Sequence, residues 1–143
     1  MVPTLSGLFY FCMMPMRFTL GKEERLKSRK AIEALFATGK RLTVGPFRVH
    51  YLFAPAVPTR RHALQFGVGV SIKNFKRAVD RNRVKRLIRE AYRLQKIPLQ
   101  LQVKEKGQEL NLFIIYTGRE LPVYADVYAA VKTILDKLAA SIP

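Results

Sequence analysis

This sequence predicts one α/β (α+β) sandwich domain, ordered α-β-β-(β)-α-β-α, with helices packed on a mixed sheet. Three observations carry that expectation. The chain has 143 residues and 49% hydrophobic content, enough for one modest core. Short apolar runs of strand length alternate with longer stretches of helical periodicity. No internal repeat or low-complexity segment competes with a single packed unit.

Taken in order, residues 1–16 (MVPTLSGLFYFCMMPM) carry no charge. They lack the positive n-region of a secretory signal and are too short and broken to span a bilayer. They are expected to be an extension upstream of the true start, with translation beginning at Met14 or Met16. Residues 17–143 then form the single domain. Lys22 to Thr38 reads as a helix, with Leu26, Ile32, Leu35 and Phe36 as its apolar stripe, Ser28 as N-cap and Gly39 as stop. Phe47 to Phe53 alternates as a strand, placing Phe47, Val49 and Tyr51 on one face and Arg48, His50 and Leu52 on the other.

Ala54 to His62 reads as a loop, and Leu64 to Ser71 as a second strand whose Gly67 and Gly69 admit a close neighbour. A basic helix follows and is expected to end before Pro98, giving way to a polar loop over 98–109. Leu110 to Tyr116 reads as a buried central strand. After Pro122 a last helix runs to about Ala140, with Val127, Val131, Ile134, Leu135 and Leu138 as its core stripe.

Charge carries the functional signal. The net charge is +16 and the pI about 10.5, which calls for a polyanionic partner. Between Lys73 and Lys96 ten Lys or Arg face only Asp80 and Glu90, a net +8 in 24 residues. On a helical wheel Val84, Leu87, Ile88, Ala91 and Leu94 form an apolar arc. Asn82, Lys85, Arg86, Arg89, Arg93 and Lys96 line the opposite side, with Arg81 and Arg83 at the borders. Like charges four residues apart (Arg81/Lys85, Lys85/Arg89, Arg89/Arg93) cost about 0.2–0.5 kcal/mol each unless a polyanion offsets them. The arrangement is a rigid comb of phosphate donors. A membrane surface is the weaker partner, because no Trp/Phe-rich insertion face accompanies the cations.

Cys12 is the only cysteine, and His50 and His62 are the only histidines, so neither a disulfide frame nor a metal cluster is expected. A single thiol fits a reducing cytoplasm. The ten carboxylates show no pairing suited to acid/base work or Mg²⁺ capture, and no nucleophile elbow or phosphate loop appears. From residues alone, the chain is an RNA-binding protein with no catalytic residue of its own.

The run Ala78-Val79-Asp80-Arg81-Asn82-Arg83-Val84-Lys85-Arg86-Leu87-Ile88-Arg89-Glu90-Ala91, following Gly67-Val68-Gly69-Val70-Ser71, resembles the signature of the bacterial ribonuclease P protein subunit. The resemblance spans roughly Phe18 to Leu138 and implies a left-handed β-α-β crossover, against the general right-handed rule. It implies an accessory subunit that binds the ribonuclease P RNA and the 5′ leader of precursor tRNA. The RNA holds Mg²⁺ and removes the leader, and no obligatory protein partner is implied.

Matched residue by residue, the resemblance places Arg81, Asn82, Arg83 and Arg86 against the catalytic RNA, with Lys73 just before the helix. Arg77 and Arg93 extend the RNA-binding set. A leader groove would include Ile32, Phe36 and His50, bordered by Lys85 and Arg89. Ile32 stands where the family usually has an aromatic, and Ile72 where it often has a second lysine. Phe36 serves either that groove or the core. The alternative reading is a ribosomal or other non-catalytic RNA-binding protein. An RRM lacks support, since the stacking aromatics are missing and the chain opens on a helix. A DNA-reading helix would need a docking unit that is not apparent.

Overall fold

A computed structural model describes residues 24–26, 28–56 and 63–142. The expectations for 1–16, for the start of translation and for most of the Ala54–His62 loop lie outside these residues.

Helix α1 spans Arg29–Thr38, capped by Ser28, whose Oγ accepts from the Ala31 N–H at 3.4 Å. It starts later than the expected Lys22, because Glu24 to Leu26 are engaged elsewhere. Gly39 closes the helix by donating its N–H to Leu35 O at 2.8 Å.

Strands β1 (Lys40–Val44) and β2 (Phe47–Pro55) form a hairpin in which Val44 pairs with Phe47. Its two-residue loop puts Gly45 at φ 54°, the left-handed position that glycine fills without strain. Strand β3 spans Leu64–Val70, helix α2 Ala78–Glu105, strand β4 Gln108–Tyr116 and helix α3 Tyr124–Ala140. The sheet order is β1-β2-β4-β3, with β3 and β4 parallel and the other pairs antiparallel. Helix α2 is the connection between the two parallel strands.

One sheet face holds the core. Phe47, Val49 and Tyr51 of β2, Leu64 and Phe66 of β3, and Leu110, Leu112 and Ile114 of β4 pack there with α2 and α3. All five stripe residues of α3 are buried as expected. Tyr92 of α2 stacks on Phe66 with centroids 3.9 Å apart.

The expected stop before Pro98 is corrected: α2 runs on to Glu105 with Pro98 inside it, so the polar loop over 98–109 does not exist. An internal proline costs about 3 kcal/mol. Leu99 and Val103 beyond it are buried, and two such side chains at about 1.5–3 kcal/mol each offset that cost. The buried stripe of α2 also differs from the expected arc. Val84, Ile88 and Ala91 are in it, but Leu94 is 39% exposed while Tyr92 and Lys96 are buried.

Lys96 explains the difference. It is 2% exposed, and its Nζ meets Glu24 Oε1 at 2.6 Å. The strap from Glu24 to Leu26 lies along the outer edge of β3. Arg25 bridges Phe66 in parallel, and the Leu26 N–H donates to Phe66 O at 2.8 Å. The strap extends the sheet edge and covers the helix edge where Lys96 would otherwise meet solvent.

Candidate nucleic-acid interface

The second sheet face has a different composition. Strand pairing places Arg41, His50, Phe113 and Gly67 in one row across all four strands. Both cross-strand neighbours and alternation put Arg48 on the same side. Helix α1 packs over β2 and β4 on this face through the fully buried Leu35.

Phe36 of α1 makes edge-on contacts with two rings, His50 at 4.5 Å and Phe113 at 5.3 Å between centroids. It remains 39% exposed and is therefore not a core residue. Ile32, one turn earlier, is half-buried. His50 points to the expected side, yet it is only 7% exposed beneath Phe36, so its flat ring is not offered to solvent. Its Nδ1 is buried without a hydrogen-bond partner. Burial, then the charges of Arg41 and Arg48, hold the imidazole below its ordinary pKa and keep it neutral at pH 7.

Phe113 is the ring that sequence reasoning missed. A Cβ on Gly67 would lie 2.5 Å from Phe113 Cδ2, and one on Gly69 3.0 Å from its Cε1. The close neighbour that these glycines admit is this half-buried phenyl ring, lying across β3. The signal was available in β4, where Asn111, Phe113 and Ile115 alternate with the buried Leu110, Leu112 and Ile114.

The cations divide by helix edge. Lys85 and Arg89 lie on the edge of α2 that carries Lys96, and so face the strap. Asn82, Arg83 and Arg86 are exposed, as are Lys73 and Arg77 before the helix. Arg81 is half-buried: its Nη1 donates to Phe75 O at 2.8 Å and Lys76 O at 2.9 Å, pinning the segment that leads into α2. Arg93 is bound to Glu90, with Nε to Oε2 at 3.1 Å, which raises its pKa and lowers that of the carboxylate. That pair is exposed enough to be worth little in stability. It does neutralise one member of the expected comb.

The profile of the family described as Ribonuclease P matches residues 20–138. The chain belongs to the ribonuclease P protein family. It is 37% identical over 132 residues to the Ribonuclease P protein component of Porphyromonas gingivalis, covering 90% of this chain and 93% of that one. It is also 37% identical to that of Chlorobium phaeobacteroides over 106 residues, 70% of this chain and 73% of the other.

Among solved structures, the RNase P protein of Staphylococcus aureus superposes with a TM-score of 0.62 at 18% identity, covering 83% of this chain and 96% of that one. The Thermotoga maritima RNase P protein gives 0.62 at 22% identity, covering 80% and 96%. These structural likenesses show the shared fold. As a ribonuclease P protein, the chain is the accessory subunit of a ribonucleoprotein endoribonuclease of tRNA 5′ processing, and catalysis in the family is RNA-based.

No helix among the described residues is long and apolar enough to cross a membrane. No group of three His, Cys, Asp or Glu among them gathers to hold a metal ion.

Proposed function

We propose that the protein binds the ribonuclease P RNA through the exposed part of its basic helix and the 5′ leader of precursor tRNA on the outer sheet face. The cleaving metal, Mg²⁺, is held by the RNA, and the work takes place in the cytoplasm. Asn82, Arg83 and Arg86, with Lys73 and Arg77, anchor the catalytic RNA. Arg81 supports them by fixing the loop before the helix. Arg93 contributes less, because Glu90 already holds its guanidinium.

The row Arg41, His50, Phe113 and Gly67 supports the leader site most directly, with Phe36 above it and the Lys85/Arg89 edge beyond β3. Exposed rings flanked by cations suit a single strand, whose bases stack while its phosphates track the charges. Phe36 and Phe113 are the stacking rings. His50 supports Phe36 from below, and Ile32 adds apolar surface where an aromatic is more usual.

The test is reconstitution. Incubated with precursor tRNA and Mg²⁺, RNA-free protein is expected to cleave nothing, while the complex with its RNA matures the 5′ end. Arg83→Ala with Arg86→Ala should weaken RNA binding and flatten its salt dependence. The expected change is about 0.7–0.9 log units per log salt for each phosphate that the variant no longer neutralises. Specific 5′ maturation by the protein alone contradicts the reading.

A further inference from the structure

One row of strand partners marks an end of the sheet: Val44 pairs with Phe47, Phe47 with Tyr116 and Tyr116 with Val70. The Gly45-Pro46 turn, the segment 71–77 before α2 and the segment 117–123 after β4 all leave from that end. Helix α2 starts there too, with Asn82, Arg83 and Arg86 in its first three turns.

Hydrogen bonds tie the three segments together. Thr117 donates its N–H, at 2.7 Å, and its Oγ1 hydroxyl, at 2.8 Å, to Pro46 O. Its own carbonyl accepts from Asn74 Nδ2 at 3.0 Å. The Tyr116 hydroxyl donates to Glu120 O at 2.7 Å, which folds residues 117–120 back onto the tyrosine ring. Gly118 permits that close approach, since a Cβ there would run into the Tyr116 hydroxyl. The ring is itself buried and packs with Phe47 and Phe75, at centroid distances of 5.2 and 6.0 Å.

These bonds fix the backbone on both sides of Arg119, while its exposed side chain enters none of them. Lys73, Lys76 and Arg77 are exposed on the segment that Asn74 joins to this loop. A cation held on a rigid loop meets a structured RNA without first being ordered, so less entropy opposes the contact. Only the fold brings this loop, 26 or more residues downstream in β4's wake, beside the segment that leads into the basic helix.

We propose that Arg119 contacts a backbone phosphate of the ribonuclease P RNA, extending the anchoring surface from the basic helix onto the loop after β4. Asn74, Thr117 and Gly118 are its positioning residues. The inference rests on the reading of Asn82, Arg83 and Arg86, with Lys73 and Arg77, as the anchor for that RNA. Glu120 serves the loop through its carbonyl, and its exposed carboxylate is no part of the contact.

The experiment measures binding of the full chain to ribonuclease P RNA across salt concentrations, with thermal melting of each variant alongside. Arg119→Ala should bind more weakly, with a salt slope lower by about 0.7–0.9, the value for one phosphate, and an unchanged melting temperature. Glu120→Gln should bind at least as tightly as wild type. Asn74→Ala frees the loop from its neighbour, so its loss of affinity should be smaller when Arg119 is already alanine than in the wild-type background.

Arg119→Ala with wild-type affinity and slope would overturn the proposal, as would weaker binding by Glu120→Gln. An Asn74→Ala loss that is the same in both backgrounds would show that Asn74 does not act through Arg119. If Arg119→Ala melts lower than wild type, Arg119→Gln, which removes the charge but keeps most of the stem, replaces it under the same criteria. Arg83→Ala with Arg86→Ala is the companion control. Unchanged binding by that variant removes the anchor reading itself, whereas a loss there beside wild-type binding by Arg119→Ala removes only the extension to the loop.

Discussion

The two faces of the sheet are built from the same strands and do opposite things. On β4, Leu112 and Ile114 are fully buried against α2 and α3, while Phe113 between them is half-exposed beside Phe36. On β2, Val49 and Tyr51 point into the core, while His50 and Arg48 point outward. The core face consists of groups that satisfy one another. The outer face carries the partly open rings of Phe36 and Phe113, the His50 ring covered by Phe36, and cations turned toward solvent. Period-two alternation lets one short strand specify both a packed core and an outer face of different chemistry. Substitutions on the two faces should therefore separate stability from RNA affinity.

The largest expected effect is on the strap. Lys96→Ala removes the ammonium group that meets Glu24 Oε1 at 2.6 Å, and losing one member of a buried pair costs about 3–5 kcal/mol. Denaturant unfolding checks this; a variant as stable as wild type would show that the strap is not held by this ion pair.

On the core face, Ile114→Ala should destabilise by about 2–5 kcal/mol, as for other buried aliphatic truncations. The neighbouring Phe113→Ala should cost clearly less in the same unfolding assay. Equal losses would erase the distinction between the faces.

Gly67→Ala sharpens the comparison further. Its methyl group would meet the Phe113 ring at 2.5 Å, so the ring must move. Overpacking of this kind costs about 1–3 kcal/mol, and displacement of the ring should lower affinity for leader-bearing substrate in step. A stable variant with unchanged affinity would show that the ring's position is immaterial.

The smallest effect is pH-dependent. Because burial and the Arg41 and Arg48 charges lower the His50 pKa, the folded chain resists a proton that the unfolded chain accepts. That contribution is constant above about pH 6.5, the ordinary histidine value, and stability falls as the pH drops below it. His50→Gln should flatten this part of the stability–pH curve. An identical curve in the variant would assign the slope to other groups.

Much of this was legible in the sequence, for identifiable reasons. The α3 stripe and the β2 alternation were clear because each buries one regular face, so pattern and packing agree. The basic helix was clear because its charges so outnumber its acids. Strand β1 is the third strand that the expected order left optional and without a position: only Leu42 and Val44 of its five residues pack on the core, and its real marker is the Gly45-Pro46 turn. The extension past Pro98 was hidden because a local penalty is outweighed by distant partners. Lys96 and Phe113 were misjudged for a related reason. A lysine looks exposed until its carboxylate arrives from 72 residues away, and a phenylalanine in an apolar strand looks buried until two glycines on the neighbouring strand open its place.

The measurement that tests the two-face account most directly is the affinity of the complex containing Phe113→Ala for precursor tRNA with a 5′ leader and for mature tRNA, on one preparation. A base stacked on the ring contributes about 1–3 kcal/mol. The leader-bearing substrate should therefore bind roughly 5- to 150-fold more weakly while mature tRNA binds as before. Equal weakening of both substrates, or of neither, would contradict the assignment of the outer face to the leader.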